Sequence, residues 1–163
     1  MDALWAPWRL EFVKQEKPTG CIFCLFPADT HDAENLVLGR SEKSFVMLNK
    51  FPYNNGHLMV IPRRHTADFG ALPQDEFVDL HRLLQIAAAV VNEAYSPHAM
   101  NVGMNLGRSA GAGIVDHLHY HVVPRWDGDT NFMPVLAETK VMIEHIRTTY
   151  DRLRPLFDKR FGR

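Results

Sequence analysis

The chain has 163 residues, 46% of them apolar and 23% charged, which is the composition of an ordinary soluble globular protein and excludes collagen-like, coiled-coil and disordered chains. That length suits one domain, burying about 68–70% of its unfolded surface, and leaves little room for two. Its 18 Lys and Arg stand against 19 Asp and Glu for a net charge of −1, so the basic excess that grips nucleic acid or an anionic membrane is missing and neither is expected as a partner.

Residues 1–20 mix Trp5, Trp8, Arg9, Glu11 and Lys14 and read as an arm without the continuous apolar stretch of an export signal. The longest apolar run of the chain, Ile86 to Val91, falls far short of the ~20 residues that span a bilayer. A cytoplasmic protein with reduced thiols at Cys21 and Cys24 is the expectation. Leu36–Leu38, Phe45–Leu48 and His57–Ile61 have the composition of short strands. The Pro and Asn-Gly of residues 50–56 supply turn chemistry between the last two. Residues 74–95 carry Phe77, Leu80, Leu83, Leu84, Ala87, Val90 and Val91 at three- and four-residue steps, an amphipathic helix that Ser96-Pro97 stops.

Met100–Leu106 is the next predicted strand, Gly107–Gly113 a small-residue loop, and Leu118–Val123 a further strand. Within 134–163, Met142, Ile146, Tyr150, Leu153 and Phe157 mark a C-terminal helix. Strands in consecutive runs with helices set apart predict an α+β fold, one domain over residues 1–163, with an antiparallel sheet.

Nine histidines is a high count for this length, and three alternate along one predicted strand: His117, His119 and His121. Alternation sends all three to one face, with same-face neighbours about 6.5–7 Å apart, close enough to flank a phosphate. The plain alternative is three solvated histidines on an exposed face. The loop just before them, Gly107-Arg-Ser-Ala-Gly-Ala-Gly113, can approach a phosphate with free backbone N–H groups, and Arg108 adds a charge. Cys21 and Cys24 have a zinc-knuckle spacing; two buried structural thiols and a redox pair are the competing readings. His81 and His145 read as ordinary surface or boundary residues.

The pattern His-φ-His-φ-His-φ-φ resembles the histidine triad (HIT) family over about residues 20–126. Asn49, Gly56-His57-Leu-Met-Val-Ile-Pro62 and Arg63-Arg64-His65 support the likeness. Leu4-Trp-Ala-Pro-Trp-Arg9 and Trp126-Asp-Gly-Asp-Thr-Asn-Phe132 resemble the bacterial diadenosine tetraphosphate phosphorylase branch. The resemblance implies a HIT-like sheet of about five strands with two main helices. It implies cleavage of a nucleotide at its α-phosphorus through a nucleotidyl-histidine, with His119 as nucleophile. His121 would contact the phosphate or the leaving oxygen and His57 would orient the triad, unless His57 is simply a satisfied core histidine. Asn49, Asn105, Ser109, Trp126 and the backbone of Gly111, Ala112 and Gly113 would hold the nucleotide and its phosphates. Zinc would be the one cofactor, a structural ion on Cys21, Cys24, His65 and His117.

Hydrolase-branch relatives carry Gly-Gln-Ser/Thr where this chain has Gly111-Ala-Gly113. The missing amide that would position water favours inorganic phosphate as acceptor, so that diadenosine tetraphosphate gives ATP and ADP. Hydrolysis of a dinucleoside polyphosphate or nucleoside phosphoramidate is the alternative, and a nucleotide-binding sensor with negligible turnover is a third. The long helix stripe and the Trp5/Trp8 arm offer more apolar surface than one small sheet can cover, which predicts a homodimer.

Overall fold

The computed structural model describes residues 20–129 and 142–162. Five strands form one antiparallel sheet: β1 (Val37–Arg40), β2 (Ser44–Leu48), β3 (Leu58–Pro62), β4 (Ala99–Met104) and β5 (Tyr120–Arg125), in the spatial order β1-β2-β3-β5-β4. Every residue of β2 and β3 is buried, which is why these segments are near-continuous apolar runs rather than alternating ones. Four helices accompany the sheet: α1 (Ile22–Leu25), α2 (Asp32–Asn35), α3 (Gln74–Tyr95) and α4 (Ile146–Arg160).

Alternation splits the strand side chains between two cores. Leu38, Val46, Leu48, Leu58, Val60 and Val122 face α3 and α4, whereas Phe45, Met47, Met59 and Ile61 pack with Phe23 beside α1 on the other side. His121 pairs with Met59 on β3 and with Gly103 on β4, and so belongs to this second, thinly covered face. The first face is thick and apolar, and it supports the site from behind.

Helix α3 has the predicted bounds. Asp75 and Glu76 occupy its first turn, where carboxylates meet the positive end of the helix dipole. Ser96 ends it in the left-handed conformation, its N–H donating to Asn92 O at 3.0 Å. Leu80, Leu83, Ala87, Val90 and Val91 are all buried within the chain itself. Phe77 and Leu84, the other two members of the expected stripe, are half-buried, so most of the stripe is covered by the chain itself.

Helix α4 begins only at Ile146, with His145 capping it by accepting from Arg147 N. Met142, the first member of the expected stripe, precedes it outside any helix. Tyr150, Leu153 and Phe157 are buried against α3 and the sheet. The short helices α1 and α2 have no counterpart in the sequence reading, because four-residue turns carry too little periodicity to register. The N-terminal arm before Gly20 and residues 130–132 of the Trp126–Phe132 segment lie outside the described residues.

Candidate active site and metal-binding cluster

The three histidines of the triplet start just before β5: His117 and His119 precede the strand and His121 lies in it. They do not form one solvated row. His117 is 1% exposed and His119 4% exposed, which removes the surface reading. The rings of His119 and His121 lie 4.9 Å apart, centroid to centroid, closer than a regular strand spacing gives.

Each imidazole is fixed by a hydrogen bond at one nitrogen, and this fixes the other. The backbone N–H of Tyr53 donates to His57 Nδ1 at 3.0 Å, so the proton of the neutral His57 ring is on Nε2. His57 Nε2 lies 2.9 Å from His121 Nδ1 and donates to it, which leaves His121 with its own N–H on Nε2. His119 Nδ1 donates to the carbonyl of His117 at 2.9 Å; its Nε2 is then a bare lone pair. His117 Nε2 donates to the carbonyl of Pro62 at 2.8 Å, so its lone pair is on Nδ1. The arrangement presents a nucleophilic nitrogen on His119 beside a proton donor on His121.

Neutrality of these rings follows from burial. Desolvation is the largest cause lowering the pKa of His117, His119 and His121, and for His121 it acts with the neighbouring His119 to push the value down to about 4. Tyr53 stacks on His57 with centroids 4.8 Å apart. Phe23 meets His117 at 5.4 Å and His119 at 5.1 Å. These aromatic contacts help exclude water from the rings.

His117 turns away from the His119–His121 pair and joins a second constellation. Its Nδ1 lies 3.4 Å from Cys21 Sγ, 3.7 Å from Cys24 Sγ and 3.3 Å from His65 Nδ1, while Cys24 Sγ lies 3.3 Å from His65 Nδ1. All four ligand atoms fall within 4.8 Å of one another. Local structure assembles them. The carbonyl of Cys21 accepts from the N–H groups of Cys24 and Leu25, closing α1 so that both thiols share a side. Leu118 N–H donates to Thr66 O at 2.8 Å, bringing the residue after His117 against the residue after His65. His31, the other nearby imidazole in sequence, is instead paired with Asp29 on the surface.

The remaining sequence candidates are placed unequally. Asn105 lines a cleft of about 440 Å³ that also contains His121. Gly107–Gly113 forms a turn with Gly107 and Gly111 at positive φ, Arg108 and Ser109 exposed, and Ala112 N–H donating to Gly107 O. Asn49 uses its side-chain oxygen to accept from Phe51 N–H at 2.9 Å, while its backbone N–H donates to His57 O. Trp126 does not line the cleft; its ring packs edge-on against Tyr95 at 6.3 Å. His81 is half-buried on α3, between core and surface as expected, its ring between Phe77 O and the Tyr120 hydroxyl.

The structure also brings in groups that the sequence did not single out. Tyr53 acts through its backbone N–H and Pro62 through its carbonyl, and no residue-type pattern marks either. Phe23, between the two cysteines, carried a signal: an aromatic residue inside a C-x-x-C beside a core cluster.

Comparison with known proteins accords with this geometry. Residues 30–128 match the HIT domain. The chain belongs to the HIT family. It is 37% identical to AP-4-A phosphorylase of Mycobacterium tuberculosis over 158 residues, covering 91% of this chain and 80% of that protein. It is 30% identical to bis(5'-adenosyl)-triphosphatase of Dictyostelium discoideum over 125 residues, covering 73% and 83%. Among solved structures, the zinc-bound histidine triad family protein from Mycobacterium smegmatis superposes with a TM-score of 0.67 at 25% identity, covering 87% of this chain and 96% of that one. The fold is thus the HIT fold, and relatives of this HIT chain include named enzymes of dinucleotide cleavage. No helix among the described residues is long and apolar enough to cross a membrane.

The buried triad sets a pH signature. In the folded chain His121 stays neutral down to about pH 4, whereas in the unfolded chain it protonates near ~6.5. The unfolded state therefore binds more protons between these values, so the stability held above ~6.5 is lost as pH falls towards 4. An NMR titration should place the His121 midpoint near 4, and His121→Asn should lessen the drop in urea midpoint between pH 7 and 4. A His121 midpoint at or above 6 would contradict this reading.

Proposed function

We propose that this HIT chain is a nucleotidyltransferase that cleaves dinucleoside polyphosphates at an α-phosphorus, with inorganic phosphate as preferred acceptor: a diadenosine tetraphosphate phosphorylase. The observation that carries the reading is the hydrogen-bond order that gives His119 Nε2 a lone pair and His121 Nε2 a proton, on rings 4.9 Å apart. Binding alone needs no such polarity, and this weighs against a sensor with negligible turnover. The 37% identity with a protein named AP-4-A phosphorylase supports the substrate class.

In the first step His119 Nε2 forms a bond to the α-phosphorus, the bond from that phosphorus to its bridging oxygen breaks, and ATP leaves with AMP held on the imidazole. The His119 ring gains positive charge, and its Nδ1–H to His117 O shortens the search for orientation. His121 Nε2–H is placed to donate to an oxygen of the phosphoryl group or the leaving bridge, and His57 holds it in that tautomer. In the second step the acceptor attacks the same phosphorus and frees His119. Water gives AMP and phosphate gives ADP.

Water is present at ~55 M, so phosphate wins only by being bound and oriented. The turn at 107–113, with its positive-φ glycines and exposed Arg108 and Ser109, supplies backbone donors and a cation near Asn105 for that purpose. Asn49 is proposed as a contact to the ribose or phosphate of the retained nucleotide, and Trp126 as part of the nucleotide site. The relative named bis(5'-adenosyl)-triphosphatase keeps hydrolysis as the second reading. Incubation with diadenosine tetraphosphate and millimolar phosphate should yield ATP and ADP, and His119→Ala should lower the rate by at least about a thousandfold while leaving substrate binding. Activity of His119→Ala within tenfold of the parent removes it as the nucleophile; AMP as the second product, unchanged by phosphate, makes the chain a hydrolase.

Cys21, Cys24, His65 and His117 are proposed as the four ligands of a structural zinc ion. Tetrahedral zinc with bonds of about 2.3 Å to sulfur and 2.0–2.1 Å to nitrogen holds its ligands roughly 3.3–3.8 Å apart, and the 3.3–3.7 Å contacts of the cluster match. The bare Nδ1 of His117, fixed by Pro62 O at Nε2, is the form a metal requires. With four protein ligands no position is left for chemistry; the ion would tie α1 to the start of β5. Protein purified without added metal should carry one zinc per chain, falling in Cys24→Ser; well under one per chain in the parent sinks the assignment.

A homodimer is proposed on the edge of β4 rather than on the α3 stripe. Among the described residues β4 has a partner on one side only, and Val102 on it and Leu106 just after it are 47% and 52% exposed. An open edge of this kind invites pairing with another strand. Sedimentation at micromolar concentration should give twice 18.7 kDa, and an 18.7 kDa species would exclude the dimer. The phosphorylase reading, with its soluble substrates, also fits a single cytoplasmic domain over residues 1–163.

A further inference from the structure

The cleft beside His121 runs along the open face of β4 and β5, beyond the part of the sheet that Phe23 and Met59 cover. Gly103 stands opposite His121 in register, Asn101 opposite Val123, and Ala99 opposite Arg125. His121 marks one end and Arg125, four residues on, the other, about 13 Å away at ~3.3 Å per residue. Tyr53, half exposed, forms a wall. At about 440 Å³ the cleft is much larger than one phosphate needs and lies within the range of small-ligand pockets, about 300–1,000 Å³.

Its chemistry is that of an uncharged, aromatic guest with hydrogen-bonding edges. Among the described residues of the lining Arg125 is the one formal cation, and its charge is spent. Nε and Nη2 donate to the two carboxylate oxygens of Asp129 at 2.6 and 2.9 Å, and Nη1 donates to Asn101 Oδ1 at 2.9 Å. Asn54 tightens this clamp by donating to Asp129 Oδ2 at 2.7 Å and to Pro124 O at 3.0 Å. With its oxygen held by Arg125, Asn101, which lines the cleft, keeps its amide N–H₂ as the group it can donate with. Val123, Met104 and the Tyr53 ring add apolar surface. A polyphosphate would find no unpaired cation at this end. A nucleoside, neutral and flat with donors and acceptors on its rim, matches the lining.

Direction selects which nucleoside. His121, the proposed proton donor to the leaving bridge, is the member of the triplet that lines this cleft, whereas His119 does not line it, so the cleft adjoins the leaving group. We infer that the β4–β5 cleft is the subsite for the nucleoside of the leaving nucleotide, so that the enzyme selects two-headed substrates over single nucleotides of equal phosphate number. The inference rests on the nucleotidyl-transfer reading above. It makes Asn101 and the Arg125–Asp129 clamp specificity residues, outside the bond-making machinery.

Two measurements test it. The first compares kcat/KM for diadenosine tetraphosphate and adenosine 5'-tetraphosphate, which carry the same phosphates with and without a second nucleoside. The parent should prefer the two-headed substrate by about tenfold or more, and Gly103→Leu should bring the ratio close to one. A Cβ at Gly103 meets nothing within 4 Å and its φ is not in the left-handed range, so the side chain fills the cleft without straining the fold. Asn101→Leu should lower the same ratio. A parent ratio near one, or a ratio unchanged in both variants, overturns the subsite. The second measurement follows amide shifts on titration with a methylene-bridged, uncleavable analogue of diadenosine tetraphosphate and with AMP. Shifts at Asn101 and Gly103 with the dinucleotide and not with AMP support the subsite; equal shifts or none overturn it. If the parent cleaves neither substrate, the nucleotidyl-transfer reading falls, and the shifts alone then decide whether the cleft binds a second nucleoside.

Discussion

A neutral imidazole has one N–H and one lone pair, so a hydrogen bond made at one nitrogen determines what the other can do. In this chain three imidazoles obey that constraint in two short lines, one from Tyr53 N–H through His57 to His121, the other from His119 to His117 O. Both lines work only while the rings are uncharged. A proton added to His57 at Nδ1 would set two donors face to face at Tyr53, and one added to His121 at Nδ1 would do the same at His57. Burial supplies the condition, because desolvation opposes protonation of exactly the form that would break the order. Packing on Phe23, Tyr53 and Met59 is therefore as much a part of the chemistry as the nitrogens are.

His117 couples this order to the second constellation. Its Nε2–H goes to Pro62 at the end of β3, its Nδ1 faces Cys21, Cys24 and His65, and its carbonyl receives the proton of His119. Three of its polar groups are thus committed in three directions, and the His119 ring takes its orientation from the last. Leu118 N–H on Thr66 O holds the two sides of the cluster together through the backbone alone. A residue in that position carries no nucleophile and touches no substrate, yet a shift in its ring plane would turn the lone pair of His119.

Much of this was legible in the chain. The three-and-four spacing from Phe77 to Val91 gave a helix with the observed ends because its stripe, its acidic first turn and its Ser-Pro stop all agree. The alternation at 117–121 placed His119 and His121 side by side, and the C-x-x-C, His65 and His117 came together as a set. Other features were hidden for physical reasons. Whether an apolar stripe is covered depends on α4 and the sheet, so the burial of most of the α3 stripe within the chain rests on tertiary packing that no local pattern encodes. Tyr53 N–H and the Pro62 carbonyl act through the backbone, which every residue shares. The Arg125–Asp129 clamp sits at a four-residue spacing, but only the fold brings Asn54 and Asn101 to it. Trp126, chosen by resemblance, packs edge-on against Tyr95, a contact between distant residues that no local pattern shows.

The segment 117–125 holds the ring of the Cys/His cluster, the proposed nucleophile, the proposed proton donor and the guanidinium clamp in that order, at every second residue apart from Val123. Its intervening side chains go to the other face: Leu118 and Val122 are buried, and Tyr120 bonds His81 on α3. The period of the strand thus does two jobs. Odd positions carry the imidazoles and the guanidinium, and Tyr120 and Val122 among the even positions anchor the backbone in the thick core of α3 and α4. A one-residue slip of β5 against β3 would send the imidazoles into that core and the anchors into the cleft, so the site and the fold are specified by the same register. That register is held by five consecutive pairs between β2 and β3 and six between β4 and β5, and β5 itself meets β3 through only three. The weaker seam is the one at His121, and the His57–His121 hydrogen bond crosses it, so the bond that sets the tautomer also joins the two halves of the sheet.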